Sequence, residues 1–365
     1  MKEKLTEIKQ KIFKKNFIGK SFFVAFLSIF FLFLFFNQYS IQFWINGYSK
    51  LNDCSLQVYF LDVGQANAIL IVFPNKMAMI VDTGSQNSQD GFVEDVDFLL
   101  NRNGIKEIEY LVLTHSDEDH VGGTVALLEK FEVNNILRPK QLAEFESSNL
   151  GYTYVSTEIY KTAMEAVYAE TACEKDFIND EVLRFGSATV EIFSCKKDFY
   201  SDTNSYSPFI SIEYNGKRFL LTGDATAIRE TEFINHLSEH KIEMDVDYLL
   251  VSHHGSKYST TEEFLQAVNP RYAFVSAGES YYPSVEVKER LTEVSTENIF
   301  VTSQLGMIAV GIEDESELIW HMTTYFDAPF IFVCVCIVVF VIMKFLPHKK
   351  GKLKFKKKNY SIETK

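Results

Sequence analysis

The sequence predicts an α/β domain of layered strands and helices, set between two apolar segments that span a membrane. Three observations carry that expectation. Strand-length apolar runs are followed by helix-length amphipathic stretches, twice over, across roughly residues 55–315. One such run, Tyr110-Leu111-Val112-Leu113, opens directly into the turn His115-Ser116-Asp117-Glu118-Asp119-His120-Val121-Gly122-Gly123. An uncharged apolar stretch lies near each end of the 365-residue chain.

Taken in order, Gln57–Phe73 holds short apolar runs broken by turn signals, and Ala78–Val81 reads as a further strand. Asp95–Asn103 reads as a helix closed by Gly104, and Thr124–Phe131 as a helix after the His/Asp turn. The stretch Gln141–Asn179, rich in Tyr, Glu and Ala, holds a helix near Thr157–Ala169 and is expected at the periphery. Thr189–Phe193, Phe209–Tyr214 and Arg218–Thr222 read as strands, the last two joined by the hairpin signal Asn215-Gly216. Thr226–Leu237, Thr261–Val268 and Val285–Thr292 read as helices.

The His/Asp turn places four potential metal ligands within six residues at the end of a strand, where they converge on one point. Imidazole and carboxylate together suit a borderline divalent ion. Gly122 and Gly123 let the backbone leave the turn sharply and allow close packing behind it. By contrast, His236 and His240, four apart on a helix with no third ligand nearby, read as an exposed helix face, and His321 and His348 have no partners.

Four further segments accompany the turn in a fixed order. They are Phe60-Leu61-Asp62-Val63-Gly64-Gln65, Ile80-Val81-Asp82-Thr83-Gly84, Phe219-Leu220-Leu221-Thr222-Gly223-Asp224 and Leu249-Leu250-Val251-Ser252-His253-His254-Gly255-Ser256-Lys257. As an ordered set they resemble the metallo-β-lactamase fold, and within it the extracytoplasmic hydrolase domain of ComEC-type competence proteins. The resemblance implies a four-layer αββα sandwich with a metal site along one edge. It implies that His115 and Asp117 bind one ion, that Asp119 and His120 bind a second, and that Asp224 bridges both. One of His253 and His254 would complete the second site. Adjacent residues at a strand end point to opposite sides, so one would ligate while the other donates to a substrate oxygen; His254 is the favoured ligand. The expected cofactor is one or two divalent ions, zinc or manganese; a pair would lower the pKa of a shared water and clamp both oxygens of an in-line displacement. Asp119, His253 and Lys257 are thus the expected catalytic residues, Lys257 as a point charge for an anionic group, and Asp82 a buttress behind a ligating His.

The chain also departs from the broad pattern. Asp117 stands where most relatives carry His, and Asn204-Ser205-Tyr206-Ser207 lies near the place of a third His for the first ion. ComEC-type domains share both changes, which leave an oxygen-rich first site suited to manganese or iron over zinc. Where those domains read Gly-Gln-Gly-Asp-Ala, this chain has Gly64-Gln65-Ala66-Asn67-Ala68, and Tyr282-Pro283 stands where they tend to have His before Pro.

Phe22–Phe36 is apolar apart from Ser28, with no charge between Lys20 and Lys50; Ala328–Met343 is apolar and uncharged. Each suits a helix of about 20 residues crossing a bilayer. The expected organisation is a basic cytoplasmic tail (1–20), a transmembrane helix (21–45), the hydrolase domain (50–320), a second transmembrane helix (326–346) and a polybasic cytoplasmic tail (347–365). Residues 1–20 carry seven Lys against Glu3 and Glu7, a net of +5, and residues 344–365 carry nine Lys against Glu363, a net of +8. Lysine on both flanks places both termini in the cytoplasm and the domain outside the cell membrane, with lipid headgroups drawn to the tails. Removing those tails from the chain's net −13 leaves −26 between them. So acidic a surface repels a polyanion at long range, and no basic groove is readable. Cys54, Cys173 and Cys195 allow one disulfide but imply no framework; Cys334 and Cys336 fall in the second span.

The function these readings support is a membrane-anchored, metal-dependent phosphodiesterase. The resemblance suggests nucleic acid, possibly DNA, as its anionic phosphoester. Two spans cannot form the many-helix channel of ComEC-type proteins, so DNA import would need a separate membrane channel protein. One alternative is an envelope phosphoesterase of phosphorylcholine or teichoic-acid type, with Tyr281 and Tyr282 against a quaternary ammonium. The other is a non-catalytic metal-binding module, favoured by the loss of acid at Asn67.

Overall fold

Strand Leu56–Phe60 shows how the layers arise. Leu56, Val58 and Phe60 turn into an apolar core between two sheets, while Tyr59 turns the other way, into a core beneath helices. Successive side chains of a strand alternate in direction, so a strand buried on both faces is largely apolar; its one amide side chain, Gln57, is buried and donates to the Cys54 carbonyl at 2.9 Å. The computed structural model describes residues 48–146, 153–278, 281–294 and 296–321, with positions 26 and 30.

Among the described residues the first sheet has eight strands. Their spatial order is Ser316–His321, Ile308–Glu313, Leu56–Phe60, Ile69–Val72, Ala78–Val81, Ile108–Val112, Val133–Arg138 and Glu174–Phe177. Pairing is antiparallel from Ser316–His321 as far as Ala78–Val81 and parallel beyond it. The second sheet has seven: Asn298–Val301, Tyr272–Val275, Tyr248–Leu250, Lys217–Leu221, Phe209–Tyr214, Ala188–Phe193 and Glu181–Phe185. Here the first four strands run parallel and the remainder are antiparallel. The Asn215-Gly216 hairpin forms as expected, both residues having positive φ.

Helices cover the outer face of each sheet. On the first, Gln89–Asn103 buries Phe92, Val96, Leu99 and Leu100, a stripe at i, i+4, i+7 and i+8. Each of those side chains contributes roughly 1.5–3 kcal/mol by leaving water. The helix starts six residues earlier than its apolar pattern indicates and ends at Gly104, in the left-handed conformation (φ 72°), as expected. Thr124–Lys130 and Glu158–Ala169 complete that layer, and Thr157 caps the latter by accepting from the Tyr160 N–H. Glu158–Ala169 also packs against the turn Glu118–Val121, behind the His/Asp motif. On the second sheet lie Ala227–His240, Glu262–Val268 and Val285–Glu293. The result is the αββα sandwich.

Cys54, Cys173 and Cys195 are free thiols. Among the described residues no helix is long and apolar enough to cross a membrane; both expected spans and the basic tails fall outside them, apart from Phe26 and Phe30. Those two are helical and exposed, with ring centroids 6.4 Å apart.

Candidate metal centre

Every expected metal-site residue lies just past the carboxyl end of a strand in the parallel half of a sheet. Asp82 follows Ala78–Val81, and His115 to His120 follow Ile108–Val112. Asp224 follows Lys217–Leu221, and His253 and His254 follow Tyr248–Leu250. Parallel strands point their carboxyl ends the same way, so residues distant in sequence gather along one edge.

Asp119, His120, Asp224 and His254 bring one ligand atom each to within 4.8 Å of one another. His254 Nε2 lies 3.2 Å from Asp119 Oδ2 and 3.4 Å from Asp224 Oδ2, and His120 Nε2 lies 3.1 Å from Asp224 Oδ1. His115 and Asp117 adjoin this group, His115 Nε2 lying 3.8 Å from Asp117 Oδ2 and the His115 and His120 ring centroids 4.1 Å apart. The Nε2 atom of His115 is buried without a hydrogen-bond partner, and that of His120 faces the Asp224 carboxylate. Buried polar atoms are almost always hydrogen-bonded, so an orphaned imidazole nitrogen beside three carboxylates fits an ion-binding role.

The outer atoms of these rings are held from behind. Asp82, with φ 61°, accepts from the Thr114 N–H at 2.8 Å, the Thr114 hydroxyl at 2.8 Å and the Asn67 amide at 3.0 Å. Its remaining contact is His120 Nδ1 at 2.6 Å. His254 Nδ1–H donates to the Ser276 carbonyl at 2.6 Å, which leaves Nε2 as the ligand atom. His115 Nδ1 meets the Thr114 hydroxyl at 3.0 Å and the Ser207 hydroxyl at 3.4 Å, and Ser207 Oγ also accepts from the Asp224 N–H at 3.2 Å.

Electrostatics follow from this crowding. Burial alone depresses an imidazole, but Asp224 and Asp82 overcome it and hold His120 well above its ordinary value. His254 is likewise raised to about 10, burial being outweighed by Asp224 and Asp119. The two carboxylates move the opposite way. Asp224 sits well below the usual range because His254 and His120 outweigh its burial, and Asp119 is lowered against its burial by His254 and His120. His115 is lowered by burial and by His120.

The geometry corrects the expectation that His253 and His254 alternate like strand residues. Both lie in a turn, Ser252–Gly255, with left-handed backbone (φ 51° and 55°). Their rings therefore approach Asp224 together, His253 Nε2 at 3.7 Å and half-buried, His254 closer and buried. Lys257 is exposed, with Nζ 5.1 Å above the Tyr258 ring. Gly122 and Gly123 have ordinary helical-region φ. Their role is close packing, since a Cβ on them would lie 2.2 Å from the Gln86 nitrogen and 2.3 Å from the Thr83 oxygen respectively. His236 and His240 pack on each other; His240 is exposed, while His236 is half-buried against the Phe193 ring. Sequence reasoning did not foresee Thr114, Ser207 and the Ser276 carbonyl; a hydroxyl beside a ligand His is too common a pattern to single out.

The model of the Metallo-beta-lactamase superfamily matches residues 61–279. Among curated proteins, Recombination protein 2 of Haemophilus influenzae is 32% identical over 265 residues, covering 71% of this chain and 29% of that protein. ComE operon protein 3 of Bacillus subtilis is 28% identical over 268 residues, covering 69% of this chain and 32% of that protein. Competence protein ComA of Neisseria gonorrhoeae is 28% identical over 228 residues, 62% of this chain and 27% of that protein. The chain thus spans about a third of the length of these relatives. Among solved structures, the diiron β-hydroxylase CmlA from Streptomyces venezuelae matches at 14% identity with a TM-score of 0.44, covering 70% of this chain and 54% of that one. Zinc-bound PqqB from Methylobacterium extorquens matches at 13% identity with a TM-score of 0.40, covering 70% and 87%.

Proposed function

Because the chain belongs to the Metallo-beta-lactamase superfamily and is a metallohydrolase of it, we propose that it is a membrane-anchored phosphodiesterase acting outside the cytoplasm on nucleic acid. One observation carries the reading: Asp119, His120, Asp224 and His254 converge to within 4.8 Å, with the outer nitrogens of both rings fixed by Asp82 and Ser276. The curated relatives bear the names of competence and recombination proteins, which directs the substrate toward nucleic acid.

Asp119, His120, Asp224 and His254 would hold one ion, and His115, Asp117 and Asp224 a second, more oxygen-rich one. When bound, a divalent cation there supplies Lewis acidity and makes water acidic enough to react near neutral pH. The protein's share is orientation and charge. Asp82 fixes the plane of His120, and the Ser276 carbonyl fixes that of His254. His253, half-buried beside Asp224, is placed to donate to a non-bridging oxygen as charge develops there. Lys257, exposed beyond the same turn, offers its charge to a more distant phosphate. Two spans, one on each side of the domain, would tether it to the membrane, and lysine on both outer flanks supports the extracytoplasmic orientation.

The test uses the 365-residue chain in detergent, with bound metal measured by mass spectrometry and turnover of bis-p-nitrophenyl phosphate on the same sample. Metal-dependent turnover is expected, and Asp119→Ala should lower kcat by at least about 100-fold while circular dichroism stays unchanged. Turnover persisting in Asp119→Ala removes the metal mechanism. Stoichiometric metal without turnover of any phosphoester points to the binding module instead.

A further inference from the structure

Two tyrosines on segments tied to the His253–His254 turn are held out in water by backbone that is itself pinned down. Tyr258 is 74% exposed and Tyr281 66% exposed. Tyr258 follows the His253–His254 turn, in a loop fixed from two sides. The Arg290 guanidinium donates to the Lys257, Ser259 and Thr260 carbonyls at 3.0, 3.1 and 2.7 Å. The buried Glu230 carboxylate accepts from the Thr260 and Thr261 N–H groups at 2.5 and 2.8 Å. Tyr281 precedes a segment locked to the same turn: the Ser284 N–H donates to the Gly255 carbonyl at 2.9 Å. A Cβ on Gly255 would fall 2.3 Å from Pro283, so the two segments touch directly. Tyr282 packs inward on the helix-side core, its ring 4.8 Å from that of Tyr281, while Tyr281 faces out.

We propose that Tyr258 and Tyr281 form a stacking subsite for an unpaired nucleobase flanking the scissile phosphate, with the Lys257 ammonium beside it. This rests on the phosphodiesterase reading above. Aromatic faces whose backbone is already ordered lose little freedom when a base stacks on them. Charge selects the occupant's binding mode. A domain carrying −26 between the tails repels phosphates, so a nucleic acid must gain its hold from its bases rather than from its backbone. Bases in a duplex are already stacked and paired, so the platform favours a single strand.

The test compares the full chain with Tyr258→Ala, Tyr281→Ala and Tyr258→Phe on three substrates: oligo-dT, an abasic oligonucleotide of the same length, and bis-p-nitrophenyl phosphate. Each alanine variant is expected to raise KM for oligo-dT about 10-fold with kcat retained, and Tyr258→Phe to behave as the parent. The abasic strand should show the raised KM already in the parent and respond little to the variants. Parent affinity for oligo-dT should change less than about 10-fold between 50 and 200 mM salt, against the 1,000-fold or more of a binder that neutralises six or more phosphates. An unchanged KM for oligo-dT in both alanine variants, with bis-p-nitrophenyl phosphate still turned over, overturns the subsite and leaves the phosphodiesterase. If the parent hydrolyses none of the three, the underlying reading fails; fluorescence anisotropy with oligo-dT then decides the platform, tyrosine-dependent binding supporting it and its absence overturning it. Alanine effects confined to choline phosphoesters would reassign the tyrosines to a quaternary ammonium and overturn the nucleobase.

Discussion

At the residue scale, Asp82 is the hub on which the centre turns. It lies behind His120, and its other contacts are the Thr114 N–H and hydroxyl and the Asn67 amide. Asn67 stands where the ComEC-type pattern has an acid, and its place is explained by its amide, which donates to a carboxylate that a second acid would repel. Asn67→Ala should weaken metal binding about 10- to 100-fold, the usual range for lost outer contacts to a ligand, read by competition against a chromophoric chelator. Protonation gives a second prediction. His254 is raised from an ordinary 6.5 to about 10, so its stabilising effect on the metal-free protein is complete below 6.5 and fades as pH rises toward 10. Asp224 and Asp119 are lowered from 3.8, so their effect is complete above 3.8 and is lost as pH falls through their depressed values. A ligating nitrogen must shed its proton, so metal affinity moves the other way and climbs through the same alkaline window. The loss of Tm on adding chelator should accordingly be larger at pH 8.5 than at pH 6; equal losses would mean that His120 and His254 do not exchange protons for metal.

At the element scale, the turn from His115 to Gly123 is shaped by what lies behind it. Gly122 faces the backbone of Ser85 and Gln86, and Gly123 that of Thr83, all within distances a Cβ cannot share. Gly122→Ala must push that backbone away and should cost about 1–3 kcal/mol, measurable by chemical denaturation, with metal affinity falling as the turn shifts. Short-range information made this turn legible in the sequence, because four ligand side chains within six residues after an apolar run have few other uses. The helices were legible for a similar reason: Phe92, Val96, Leu99 and Leu100 repeat with the helical period, and Gly104 ends the run. Strand Ile308–Glu313 was not. Ile308, Ala309, Val310 and Ile312 are all buried, and a strand covered on both faces shows no alternation to read. The His253–His254 turn was misjudged because two consecutive non-glycine residues in left-handed backbone cost about 1–2 kcal/mol each, a cost that the bonds from His253 N–H to Gly223 and from His254 to Ser276 help to offset.

At the scale of the whole molecule, the proposed anchors and orientation give a testable topology. If both lysine-rich ends lie inside the cell, protease added to intact spheroplasts should remove an epitope placed in the exposed loop near Asn215-Gly216 while epitopes on either terminus survive. The converse pattern would invert the topology. The sandwich itself has a seam. Asp119 and His120 belong to the half of the chain built on the first sheet, Asp224 and His254 to the half built on the second, and His254 lies 135 residues from Asp119 along the chain. An ion shared among them is a removable cross-link between two separately layered halves. Its grip scales with supply: free metal at a hundred times the dissociation constant adds about 2.7 kcal/mol to the native state, and none adds nothing. If the domain lies outside the cell, where proteases act on whatever opens, the availability of that ion would set how long the protein survives as well as how fast it turns over.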